Sequence, residues 1–173
     1  MAEPVTIRAL APDDLEPYKT LRDLMLAAHP EAFTSDAAAE SSRTPQSYLP
    51  RLGLDQPGGG QFVLGAWMGG ELVGALGCER DPRVKVRHIG HLIGMMVRGE
   101  LRRLGIGHQL LVAGIATARR ADGLELLTLT VTASNASAIR LYERAGFTRF
   151  GSLPQAIKVD GQYHAKDHMV LAL

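Results

Sequence analysis

Apolar positions change their spacing several times along the chain, and each change marks an element. "VTIRAL" sets Val5, Ile7 and Ala9 on one face, the alternation of a strand. In "PDDLEPYKTLRDLMLAA" the period becomes helical. Leu15, Tyr18, Leu21 and Met25 share a stripe, and Asp13 and Glu16 stand where a capping box would. From His29 to about Gly60 the pattern fades while Pro, Ser, Gly and Asp accumulate. That stretch predicts a mobile, loop-rich segment with one short helix over "PQSYLPRL". "QFVLGAWM" and "ELVGALGCER" read as strands joined at Gly69-Gly70, a hairpin signal. After the turn-prone "RDPRV", the run "VRHIGHLIGMMV" is apolar and β-branched enough for a central strand.

The second half is sharper. "GHQLLVAGIATARRA" aligns Leu110, Leu111, Gly114, Ile115 and Ala118 on one helical face, with Gly123 as a stop. "LELLTLTV" alternates Leu127, Leu129 and Val131 with threonines, as a strand does. "ASNASAIRLYERAGF" is a helix opened by Ser134 or Asn135 and closed by Gly146. "AIKVDGQYHAKDHMVLAL" supplies a final strand pair about Asp160-Gly161. The resulting order is strand, helix or helices, three strands, helix, strand, helix, two strands. It predicts one α/β domain over residues 1–173, with helices flanking one sheet and neither repeat nor linker.

Composition narrows the function classes. Of the 173 residues, 46% are hydrophobic and 21% charged, as in an ordinary globular domain with a sizeable core. A net charge of +1 argues against a nucleic-acid partner. The single Cys78 excludes an internal disulfide and fits a reducing compartment. "MAEPVTIRAL" lacks the features of a signal peptide, and no run is long enough to span a bilayer. A cytoplasmic protein without a membrane partner is expected.

Candidate chemistry begins at "LRRLGIGHQLL", where Gly105 and Gly107 stand at the entrance of a helix. Glycine is costly to order there, so either the turn is tight or something approaches the backbone closely. A helix N-terminus offers unpaired amides and the positive end of the dipole, which together make an anion site. Arg98, Arg102 and Arg103 lie beside it, as phosphate partners or as solvated loop residues. A Walker loop would need Lys and Ser or Thr where His108 and Gln109 stand. A dinucleotide fingerprint would need glycine where Leu110 stands.

"VRGELRRLGIGHQLL" resembles the acyl-CoA-binding motif of the GNAT-superfamily N-acetyltransferases, Arg/Gln-x-x-Gly-x-Gly/Ala, through Arg102, Gly105 and Gly107. "LTLTVTASNASAIRLYERAGF" is similar to that family's next motif through Asn135, Ala138, Tyr142, Gly146 and Phe147. The element order is also the family's, so the resemblance covers nearly the whole chain. It implies a mixed, mostly antiparallel central sheet with one splayed strand pair. It also implies acetyl-CoA as cosubstrate, its pyrophosphate on the amides of Arg103, Leu104, Gly105, Ile106, Gly107 and His108. Met96 and Val97 would offer main-chain groups to the pantetheine arm.

Asn135, Ala138 and Tyr142 fall on one helical face, where the amide could bind pantetheine and the phenol could reach the sulfur. In this family Tyr142 occupies the general-acid position. His91 occupies a position where many relatives carry a glutamate base. A histidine there could take a proton directly or through water, or could simply pack. Two departures stand out: Gly99 replaces a common proline, and Arg103 a common glycine. Positive φ at Arg103 would strain the loop.

Other residues have simpler readings. His88 would point away from His91 on a regular strand, and His164 and His168 form no ligand pattern, so no metal is expected. Cys78 reads as a small buried hydrophobe, and Trp67, Met95 and Met96 as core or tunnel lining. Arg119 and Arg120 suit a helix C-terminus. Arg140 and Arg144 either approach the 3′-phosphate of CoA or face solvent. The resemblance thus implies direct acetyl transfer to a primary amine, on a small molecule or a peptide N-terminus. A non-catalytic acyl-CoA sensor on the same fold is the alternative. Similar folds acetylate aminoglycosides, polyamines, amino-acid analogues and protein N-termini. Acceptor contacts are expected from the segment between Leu24 and Leu52 and from the Asp160-Gly161 turn, and sheet edges make a homodimer plausible.

Overall fold

The computed structural model describes residues 3–56 and 58–173. Its centre is a seven-stranded sheet in the order β1-β2-β3-β4-β5-β7-β6. The strands are β1 (Thr6–Ala9), β2 (Phe62–Met68), β3 (Glu71–Arg80), β4 (Ile89–Val97), β5 (Leu126–Thr132), β6 (Thr148–Val159) and β7 (Gln162–Ala172). Only β4 and β5 run parallel; every other pairing is antiparallel. The helices are α1 (Leu15–Ala28), α2 (Ala37–Ser41), α3 (Ile106–Arg119) and α4 (Ala136–Arg144). The mixed α/β order read from periodicity is therefore the observed one.

Each face of the sheet buries its own apolar layer. Between the sheet and α3 and α4 pack Leu76, Ile106, Leu110, Leu111, Leu127, Tyr142 and Phe147. Between the sheet and α1 pack Leu15, Tyr18, Leu21, Met25, Tyr48, Val63 and Ala75. The stripes assigned to α1 and α3 are thus the buried ones. The Gly69-Gly70 and Asp160-Gly161 turns carry positive φ at all four residues, the geometry of tight hairpins.

Four local expectations are corrected. No side chain caps α1; instead Asp14 holds the 3-10 turn before it, its carboxylate accepting from the Ala11 amide at 2.8 Å and pairing with Arg8. Asp13 and Glu16 do not form that box. β4 starts at Ile89 rather than Val86, because residues 84–88 turn instead of extending. His88 therefore lies outside the strand, and its carbonyl accepts from the Glu125 and Leu126 amides. The segment from His29 to Gly60 also contains α2, which the sequence pattern did not suggest.

That segment is fastened rather than loose. A 3-10 helix over Pro45–Leu52, where the short helix was expected, carries the fully buried Tyr48. Tyr48 donates to Glu40 at 2.5 Å, and Arg22 of α1 donates to the same carboxylate at 2.9 Å. Polar side chains thus do the anchoring, which is why apolar periodicity could not reveal it.

Candidate active site

β4 and β5 pair only at Ile89–Leu126, Gly90–Leu127 and His91–Thr128, then part. Within β4, Gly94 adopts φ +58 at a bulge where the register against β3 shifts. A side chain is disfavoured in that conformation, so glycine permits the bend that opens the strands. Between them lies a cavity of about 310 Å³.

The cavity passes from one face of the sheet to the other. Leu76, Ala138 and Tyr142 line it on the α3–α4 side. Arg22, Phe33, Thr34, Ser35 and Arg51 line it on the α1 side. Strand alternation sets Glu79, Thr130, Thr132 and Lys166 on that α1 side too, opposite the buried Cys78, Leu129 and Val131.

Tyr142 is 7% exposed, and burial pushes its phenol up to about 12, so it stays protonated through neutral pH. Asn135 is the N-cap of α4: its Oδ1 accepts from the Ala138 amide at 3.2 Å. That geometry decides between Ser134 and Asn135 as the opener, and it still leaves the Asn135 amide group on the cavity wall. Asn135, Ala138 and Tyr142 are brought together as their spacing implied.

His91 is not in this cavity. It is exposed, its Nδ1 lies 2.5 Å from Thr128 Oγ1, and it lines a neighbouring depression with Arg80 and Asp81. Glu79, its cross-strand partner, lines both spaces, as does Arg51. Sequence reasoning missed Glu79 because the β3–β4 register, shifted by the bulge, could not be counted from spacing. Arg22, Arg51 and Lys166 were missed because they converge from distant segments.

At the entrance of α3 the amides lie open. Gly105 has φ +74 as its N-cap, no side chain caps the helix, and Gln109 is the first residue to donate back, to the Gly105 carbonyl. Gly107 is different, since a Cβ there would meet Leu141 and Val97 at ordinary contact distances. Arg103 does not have positive φ, so its side chain imposes no strain. Arg102 donates to His29 Nε2 at 2.5 Å, while Arg103, Leu104 and His108 are exposed around the helix mouth. Ile106 is fully buried, leaving only its main chain for a ligand. Met96 is buried next to this mouth, and Val97, half-buried, ends β4 there.

Other candidates lie outside the cavity lining. Burial raises the Cys78 thiol to about 12, which keeps it inert. Arg119, Arg120, Arg140 and Arg144 are exposed. No cluster of metal-ligating side chains occurs among the described residues. No described helix is long and apolar enough to cross a membrane.

A parted β4–β5 pair, a buried tyrosine beside the gap and open amides at the next helix together define a class. Residues 18–147 match the acetyltransferase (GNAT) family, and the chain belongs to it. It is 30% identical over 149 residues to mycothiol acetyltransferase of Salinispora tropica, covering 86% of this chain and 46% of that protein. The chain spans about half the length of the curated relatives it matches. A GNAT-family acetyltransferase from Streptococcus pneumoniae superposes with a TM-score of 0.88 at 25% identity, covering 98% of this chain and all of that one. The Salmonella typhimurium protein yncA, solved with its cofactor acetyl-CoA, superposes at 0.80 with 23% identity, covering 98% of this chain and 94% of that one. The family and the splayed sheet expected from the two motifs are thus the observed ones.

Proposed function

We propose that the protein is an acetyl-CoA-dependent N-acetyltransferase acting on a primary amine in a ternary complex. The observation carrying this reading is a buried tyrosine, Tyr142, lining a cavity that opens between parted strands. Acetyl-CoA supplies an activated acetyl thioester to that cavity. The amides of Arg103 to His108 hold its diphosphate at the positive end of α3, with Arg102 and Arg103 alongside. Main-chain groups of Met96 and Val97, together with the Asn135 amide, position the pantetheine arm.

Tyr142 gives its phenolic proton to the departing thiolate as the amine nitrogen bonds to the carbonyl carbon and the C–S bond breaks. Of the two candidate bases, Glu79 shares the cavity with Tyr142, so the amine proton goes to Glu79 and then to solvent. His91, in the adjoining depression, takes part only through water. A sensor that merely binds acyl-CoA has no use for a phenol buried at that point. Self-association along an open sheet edge fits the same reading, because β6 leaves Phe150 and Leu153 62% and 53% exposed.

Two measurements test the proposal. Thermal unfolding with acetyl-CoA, CoA, ATP or NAD should show stabilisation by the CoA compounds alone, about 2.7 kcal/mol at a hundredfold excess over Kd. A shift with ATP or NAD and none with CoA contradicts it. Thiol release from acetyl-CoA over a mixed amine panel should then be amine-dependent; binding without any turnover would favour the sensor.

A further inference from the structure

The α1 side of the cavity holds charges that the transfer reaction leaves unexplained. Arg22 is 3% exposed, and its guanidinium is only partly engaged: Nε donates to Glu40 and Nη2 to Ser35 Oγ at 2.9 Å. Among the described residues, Nη1 has no hydrogen-bond acceptor. It points towards Gly94, where it would lie 3.8 Å from an added Cβ. Tyr18 OH lies 4.0 Å from the same point, and Arg51 Nη1 donates to that hydroxyl at 3.3 Å. Glu40 also accepts from Arg43, so one carboxylate serves two guanidiniums.

Lys166 approaches from β7. It is 7% exposed, its only hydrogen-bond partner among the described residues is Thr34 Oγ1 at 3.3 Å, and burial lowers its pKa. Thr34 and Ser35 are adjacent in sequence, so a single strap receives both Lys166 and Arg22. Lys166 has no carboxylate partner among the described residues, and Arg22 shares its carboxylate with Arg43. Glu79 alone among the lining acids stands against the three cations Arg22, Arg51 and Lys166, so the lining favours an anion. CoA does not supply that anion here. Its diphosphate belongs at α3, and the thioester and pantetheine that would reach this cavity are neutral.

We propose that the acceptor is a small amine that also carries a carboxylate, which Arg22, Arg51 and Lys166 hold on the α1 side while its amine faces the thioester. This rests on the acetyltransferase reading above. The class is that of free amino acids rather than peptide N-termini, whose nearest carbonyl is an uncharged amide. A cationic surround also favours the neutral form of the amine, which is the form that attacks. Glu79, which forms no ion pair among the described residues, stands at the same end to receive the amine proton. Phe33, Ile93 and Met95 complete the lining and suit an apolar side chain.

The test sets each proteinogenic amino acid beside its carboxamide as acceptor, with acetyl-CoA saturating. At least one acid should exceed its own amide in kcat/KM by about tenfold or more, the size of a charge-assisted hydrogen bond. Lys166→Gln and Arg51→Gln should each shrink that ratio, mainly by raising KM for the acid, with acetyl-CoA affinity unchanged as the folding control. Calorimetry of the N-acetylated acid and its amide with CoA bound should give the same order of affinity without turnover. Amides that match or beat the acids throughout, transfer only to amines without a carboxylate, or ratios that survive both substitutions overturn the inference and leave the acetyltransferase reading standing. Failure to acetylate any amine overturns both.

Discussion

The two ends of the cavity are built by different means. On the α3–α4 side, Tyr142, Ala138 and Asn135 come from one short helix following one strand, and no charged side chain is needed. On the α1 side, Arg22, Thr34, Ser35, Arg51 and Lys166 come from a helix, a strap, a 3-10 helix and the last full strand, with as many as 132 residues between partners. One end is local and neutral; the other is long-range and charged. On the proposed reading, the neutral end carries the transfer chemistry and the charged end the recognition of the acceptor.

The largest effect that would break this contrast lies in the charged end. Glu40→Ala leaves Arg22 buried beside no carboxylate and should cost about 3–5 kcal/mol in chemical denaturation. A loss under about 1 kcal/mol would mean the cluster is better hydrated than its burial implies. Burial alone would raise the Glu40 carboxyl. Hydrogen bonds from Tyr48 and Arg22, and the Arg22 charge, instead bring it down to about 2. A depressed carboxyl stabilises the fold above its unfolded value of 4.5, and that contribution is lost as pH falls towards about 2. Acid titration of the wild type should show that loss, and Glu40→Gln should flatten it.

The neutral end should respond in rate rather than stability. Tyr142→Phe should lower kcat about a hundredfold, the lower range for general acid catalysis, while calorimetry finds acetyl-CoA affinity unaltered. Because the phenol lies near 12, no loss of activity between pH 7 and 10 should trace to it. Equal basic limbs in a pH profile of Tyr142→Phe and wild type would agree with this.

A smaller effect separates the two glycines. Gly105→Ala puts a side chain at φ +74 and should cost about 1–2 kcal/mol, together with weaker acetyl-CoA binding. Gly107→Ala, with ordinary contact room, should change stability by less than about 0.5 kcal/mol. Equal losses at both positions would return the pair to a single structural role.

The same contrast explains what could be read from sequence. The element order, the α1 and α3 stripes, both hairpins and the face shared by Asn135, Ala138 and Tyr142 all depend on neighbours a few residues apart, and periodicity reports those directly. The start of β4 was misplaced because "VRH" is strand-like in composition but turns in context. α2 escaped notice because Ala37–Ser41 is a single turn and a half, held by Asp36 accepting from the Ala39 amide and by the buried Glu40. Glu79 escaped because its placement opposite His91 depends on how β3 and β4 register across a loop and past the Gly94 bulge. The cationic end depends on strap, helix and β7 meeting in space, and no local pattern encodes that.

The most direct check on the whole account is the crystal structure of this protein with coenzyme A. The diphosphate should accept hydrogen bonds from the amides between Arg103 and His108, at about 2.9 Å, with the thiol beside Tyr142 and the α1 side still free. A diphosphate bound elsewhere, or a thiol lodged among Arg22, Arg51 and Lys166, would contradict it.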